Sequence, residues 1–158
     1  MVRLYVPNKV KDWRRFIENL NSTIDDVIKD NEPKLVVGGD FNVTLESDLD
    51  CSGGNPAQKA SVKSIQDLCL DFDLVDIWRI RNPTARHFMW RQRNPFIQRR
   101  LDFWPISDVC QEDIEGTDII LSIYSDHSAI ILHFNNIGWQ KHDPSFWKFN
   151  ASLLNDEI

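Results

Sequence analysis

Leu35-Val36-Val37-Gly38-Gly39-Asp40-Phe41-Asn42 is the stretch from which the architecture of this chain can be read. An unbroken apolar run of this length predicts a strand buried on both faces. Asp40 and Asn42 lie two positions apart at its end, so both side chains leave the strand toward one side of a sheet. There an acid can activate water while an amide holds a phosphate oxygen. An ordinary Gly-Asp strand-end turn is the competing reading, and the tetrapeptide alone does not separate the two. Its partners lie further along the chain.

The chain has 158 residues, enough for one domain with a real core. Hydrophobic residues at 42% and charged residues at 27% mark a globular protein rather than a disordered one. No stretch approaches the roughly 18 consecutive apolar residues of a membrane helix, and Met1 to Pro7 does not read as a signal peptide. Cys51, Cys69 and Cys110 have no metal-type spacing, which predicts reduced thiols in an intracellular compartment, nuclear or cytoplasmic. The net charge of −6 excludes a protein that grips nucleic acid by bulk positive charge. It leaves room for a local contact: Arg86, Arg91, Arg93, Arg99 and Arg100 fall in one segment that contains no acid. That segment reads either as a solvated hairpin or as a surface for a phosphate backbone.

On the N-terminal side of the central strand, residues 1–6 predict a short strand. Trp13, Phe16, Ile17, Leu20, Ile24, Val27 and Ile28 then recur at helical spacing, predicting a helix over about 10–30. On the other side, residues 46–56 are acidic with Gly53-Gly54 and predict a surface loop. Val62, Ile65, Leu68, Cys69 and Phe72 mark a second helix, followed by a short buried segment over 74–78. Residues 87–91 and 99–107 predict two strands joined across Asn94-Pro95. Residues 118–124 and 128–134 predict another pair, broken at Ser125-Asp126-His127. Beyond Asn135 periodicity fades, so 1–135 reads as the domain and 136–158 as a linker or tail. The alternation of helices and strands, then directly paired strands, predicts an α/β layered sandwich with a mixed sheet.

Two further motifs join the first. In Arg100-Leu101-Asp102-Phe103, Asp102 alternates with two apolar neighbours and faces away from them. A carboxylate there can orient an imidazole, with a surface salt bridge as the plain alternative. Asp126-His127 sits at a strand junction and suits metal or phosphate binding, or simply makes a turn.

The series Gly-Asp-Phe-Asn, Arg-Leu-Asp-Phe, Ser-Asp-His resembles the endonuclease/exonuclease/phosphatase superfamily, the DNase I-like fold. More narrowly, the chain resembles the AP-endonuclease-like domain of LINE-type non-LTR retrotransposons. Leu4-Tyr5-Val6-Pro7-Asn8, residues 73–78, Phe88-Met89-Trp90-Arg91-Gln92-Arg93-Asn94-Pro95 and Phe146-Trp147-Lys148-Phe149-Asn150 carry the narrower match. The resemblance implies the C-terminal half of a four-layer α/β sandwich, its mixed sheet mostly antiparallel and flanked by helices. It implies hydrolysis of a DNA phosphodiester leaving a 3′-hydroxyl nick. Asp40 would orient or deprotonate the attacking water, and Asn42 would hold the scissile phosphate. His127 would stabilise developing negative charge with Asp102 as its orienter, and Tyr5 would contact the phosphate. Asp126 would help ligate Mg²⁺ or Mn²⁺. Arg91, Arg93, Arg99 and Arg100 would meet the DNA backbone.

The chain departs from the family pattern in two ways. The family's N-terminal half, with a first-strand Asn and the Glu that is its principal metal ligand, has no counterpart in these 158 residues. Met89 stands where such domains carry a Thr near the phosphate. The resemblance therefore implies a sheet face without its partner. At about 25 cal/mol per Å² of apolar area, that loss rivals the roughly 5–15 kcal/mol net stability of a domain. It predicts poor autonomous stability or self-association through the uncovered face. Three functions compete: a divalent-metal-dependent nicking endonuclease of a retroelement, impaired in this form; a non-catalytic remnant; and a phosphoesterase of the same superfamily acting on lipid or small-molecule phosphates.

Overall fold

A computed structural model describes residues 2–6, 10–28, 34–55, 59–123 and 125–135. Strand β1 (Val2–Tyr5) leads to helix α1 (Val10–Ile28), which brings the chain back to β2 (Val37–Asp40). β1 and β2 run parallel, and β7 (Asp102–Phe103) closes the other side of β2 antiparallel. Among the described residues the expected mixed sheet is divided into four short sheets, all antiparallel except the β1–β2 pair. β3 (Cys51–Ser52), β6 (Ile97–Arg99) and β5 (Trp90–Gln92) form one; β4 (Leu74–Asp76) and β8 (Pro105–Ser107) another; β9 (Ile114–Ile120) and β10 (Ala129–Phe134) the last. The division has a local cause. The extended run 97–107 changes partner twice, pairing first with β3 and β5, then with β2, then with β4.

The apolar run around β2 is buried on both faces, as continuous hydrophobicity requires. Leu35 and Val37 enter a core with Trp13, Leu20 and Ile24 of α1, and with Ile65 and Leu68 of helix α3 (Lys59–Asp71). Val36 faces the other way, against Ile77, Ile106, Cys110 and Ile114. Gly38 lies beneath the Trp104 indole; a Cβ there would sit 1.9 Å from Trp104 Cζ3, so only glycine admits the ring.

The helix expected over 10–30 is α1, with 29–30 outside the described residues. The Asn94-Pro95 hairpin forms, but as Trp90–Gln92 and Ile97–Arg99 rather than over 87–91 and 99–107, and the expected second strand is divided among β6, β7 and β8. The last pair also forms, but its first strand comes earlier, at Ile114–Ile120 rather than over 118–124. The acidic stretch 46–56 is not simply a surface loop. It contains helix α2 (Ser47–Asp50) and β3, and Asp50 is fully buried. Composition points outward there, but two arginines from elsewhere draw this carboxylate in. The short segment after β4 is helix α4 (Ile77–Arg81), capped by Asp76, which accepts from the Arg79 backbone N–H. The tail 136–158 lies outside the described residues.

Candidate active site at the end of strand β2

The register of the first sheet places Tyr5, Asp40 and Asp102 side by side, Asp40 pairing with Tyr5 on one strand and Asp102 on the other. Asp102 lies between buried Leu101 and Phe103 and is itself only partly covered, so its carboxylate faces away from theirs as alternation predicts. Past β2 the chain turns sharply. Asn42 adopts a left-handed backbone, φ +50°, a conformation that asparagine tolerates better than most residues. The turn is held by the Asn42 backbone N–H, which donates to Asp40 Oδ1 at 2.8 Å, and by Asn42 Nδ2, which donates to the Val6 carbonyl at 2.6 Å.

His127 arrives from the loop before β10. Its Nδ1 lies 3.0 Å from Asp102 Oδ2, and its Nε2 lies 3.9 Å from Asp40 Oδ2. Asp102, His127 and Asp40 thus form a line in which the imidazole is held from behind and faces the Asp40 carboxylate. The hydrogen bond to Asp102 raises the His127 pKa above its ordinary value, against the opposing effect of partial burial. That favours the imidazolium. Asp40 is also raised. Burial is the main cause; the Asn42 N–H pulls the other way, the Asp102 charge adds to the rise, His127 opposes it and Asp126 adds again. Its carboxylate is therefore a better proton acceptor than a solvated one.

The other expected site residues divide. Asp126 is exposed, and its Oδ2 accepts from Trp90 Nε1 at 3.0 Å. Arg91 is half-buried on β5, and Arg93 is exposed at the hairpin turn. Arg99 donates to the Asn55 carbonyl at 2.6 Å. Met89 is buried and offers no hydroxyl. Arg100 must be corrected: it is fully buried and cannot reach a DNA backbone. Its Nε and Nη2 donate to Asp50 at 2.7 and 3.1 Å, and Nη2 also donates to Asp76 at 2.7 Å. Arg79 donates to Asp50 as well. The Arg100 guanidinium stacks 4.5 Å from the Phe103 ring centroid. Burial works against its charge, but Asp76 and Asp50 outweigh that and raise its pKa. Sequence reading misses Asp50, Asp76 and Arg79 as partners because these bonds join residues 24 to 50 positions apart, and no local pattern marks them.

A divalent cation of the kind the resemblance implies needs several oxygen ligands at once. Among the described residues no group of three His, Cys, Asp or Glu side chains converges on one point. Asp40 and Asp126 each already accept an N–H. The described residues therefore do not assemble a Mg²⁺ centre by themselves. Among the described residues no helix is long and apolar enough to cross a membrane.

No family profile matches the chain. The chain is 31% identical over 160 residues to the "Transposon TX1 uncharacterized 149 kDa protein" of Xenopus laevis, a match that covers 99% of this chain and 12% of that protein. Among solved structures it superposes with a TM-score of 0.70 on a variant of the 3′ phosphatase NExo from Neisseria bound to product DNA hairpin, at 20% identity. It superposes equally, at 0.70 and 18% identity, on an AP endonuclease from Archaeoglobus fulgidus. Each superposition covers 84% of this chain and 59% or 60% of the other, so the chain spans less than two thirds of these relatives. The chain therefore has the DNase I-like fold of these AP endonuclease and 3′ phosphatase structures, and its sequence is similar to part of a transposon protein.

Proposed function

We propose that this chain carries the water-activating and charge-stabilising part of a DNA-nicking endonuclease of a retroelement. The observation that carries the reading is the Asp102–His127–Asp40 line, with contacts of 3.0 and 3.9 Å. Asp102 accepts from Nδ1–H, which leaves Nε2–H of the imidazolium directed toward the Asp40 side. A phosphodiester seated there places a non-bridging oxygen against His127, while Asp40 takes a proton from the attacking water. Asn42 holds a phosphate oxygen from the same turn, and Tyr5 stands on the neighbouring strand end. The β5–β6 hairpin brings Arg91 and Arg93 to the flank, where they neutralise backbone phosphates. The transposon homologue and the DNA-bound structural relative support DNA over a small phosphate ester.

A second reading, a non-catalytic remnant, is favoured by one observation: the described residues assemble no cation centre. Nicking of supercoiled plasmid in Mg²⁺ by the chain and by His127→Ala separates the two. The enzyme reading expects a loss of about 100-fold or more in the variant, the usual cost of removing a preorganised charge-stabilising donor. Equal background in both establishes the remnant. Cleavage of a small phosphodiester with no plasmid nicking moves the substrate to the superfamily's phosphoesterases.

A further inference from the structure

Asp126 is exposed, yet one of its oxygens is engaged by an indole. Trp90 Nε1 donates to Asp126 Oδ2 at 3.0 Å. The two residues sit on segments that are already paired. Trp90 forms an antiparallel bridge with His127, the Arg91 N–H donates to the Asp126 carbonyl at 3.2 Å, and the Ser128 N–H donates to the Met89 carbonyl at 2.7 Å. Residues 126–128 are therefore an extra edge segment beside β5, the root strand of the arginine hairpin. Backbone pairing alone fixes the height of this segment on the sheet. The peptide preceding His127 is held at both ends, its carbonyl by the Arg91 N–H and its N–H by Ser125 Oγ at 3.1 Å, but these backbone bonds leave the Asp126 side chain to find its own partner. The indole–carboxylate bond ties down the side chain at that point. It is a direct side-chain bond of ordinary hydrogen-bond length. A site group must be held to within about 0.5 Å to act, and the next residue along is the imidazole aimed at Asp102 and Asp40.

We propose that Trp90 is a positioning residue: through Asp126 it holds His127 in line with Asp102 and Asp40, and Asp126 acts here as the acceptor of that link rather than as a ligand for a cation. The importance of His127 rests on the phosphodiester reading above, but the link can be tested without turnover. It also gives the hairpin a second task. The strand that carries Arg91 outward is the same strand that anchors the loop bearing His127.

The test is proton–nitrogen NMR on the full chain, following the Trp90 indole N–H and the low-field His127 Nδ1–H held by Asp102. In Trp90→Phe and in Asp126→Ala, the His127 Nδ1–H should exchange with water about tenfold faster, the loss of roughly one hydrogen bond's worth of ordering. The amide pattern of the α1–α3 core should not change. Asp126 is exposed, so its variant keeps the fold even where loss of the indole does not. Millimolar Mg²⁺ should leave the wild-type Trp90 indole resonance in place. Unchanged His127 exchange in folded Asp126→Ala overturns the proposal. So does a Mg²⁺-driven shift of the indole resonance toward its position in that variant, which would make Asp126 a cation ligand. In the plasmid assay, Asp126→Ala should lower kcat with KM held. Absence of nicking by the unmodified chain would count against the enzymatic reading, and the exchange measurement would still decide the link.

Discussion

Replacing Arg100 with methionine removes the cation around which three segments converge. The side chains of Arg100 and Asp50 are wholly buried, and those of Asp76 and Arg79 are 13% and 11% exposed. In the parent chain Arg100 faces Asp50 and Asp76, and Arg79 faces Asp50 and the half-exposed Glu46. After Arg100→Met, Asp50 keeps Arg79, whereas Asp76 keeps only the Arg79 backbone N–H, leaving one largely buried negative charge without a cation. Removing one member of a buried pair costs about 3–5 kcal/mol. Arg100 Nη1 is buried with no hydrogen-bond partner, so part of its desolvation is already uncompensated, which places the expectation toward the lower end. Loss of the stacking on Phe103 adds in the same direction. For a chain of this length the melting temperature should fall by about 6–20 °C. Urea unfolding followed by circular dichroism and by tryptophan fluorescence measures the change. The double variant Arg100→Met/Asp76→Asn removes the carboxylate left without a cation, keeps Asp50 with Arg79 and a helix cap at position 76, and should recover much of the loss. A single variant that loses less than about 1 kcal/mol, or a double variant whose loss equals the sum of the singles, would show that charge balance does not set this cost.

Gly38→Ala forces a methyl into the Trp104 ring and should cost about 1–3 kcal/mol by overpacking, with a changed near-ultraviolet circular dichroism signal from the displaced indole. His127 has a raised folded pKa, so its contribution to stability is fully present below its ordinary value of about 6.5 and is lost as pH rises through the folded value. His127→Gln should abolish that part of the pH dependence, read as the urea midpoint across neutral to mildly alkaline pH; an unchanged slope would show that His127 does not carry it. Ile120, Leu121 and Ile123 are exposed at the β9 end of the last hairpin, so the chain should self-associate with rising concentration. Sedimentation velocity should show the larger species receding in Ile120→Lys/Ile123→Lys; a concentration-independent monomer in the parent chain would contradict the expectation.

Much of the candidate site is legible because its chemistry is written next to a strand signal. Asp40 ends an apolar run, Asp102 alternates with Leu101 and Phe103, and His127 interrupts two apolar segments. Each of these is a local pattern set by the two-residue period of a strand and by the need to keep polar groups at strand ends. Arg100 shows where such reading fails. It sits in a run of arginines that looks solvated, and its burial depends on Asp50 and Asp76, which approach from 50 and 24 positions away. The acidic 46–56 stretch fails for the same reason seen from the other side, since Asp50 looks like a surface acid until its partners are in place.

The order and local setting of residues were enough to read an α/β chain and to single out Asp40, Asn42, Asp102 and His127 as candidates, and the motif series added the resemblance to DNase I-like proteins. Side-chain period and strand-end polarity are properties of neighbours, so they can be read along the chain. Which charges are buried, that Asp126 is held by Trp90, and that the described residues make no cation centre emerged with the folded arrangement alone. Those outcomes depend on long-range pairing, in which a side chain's environment is built by segments that its own neighbours do not specify.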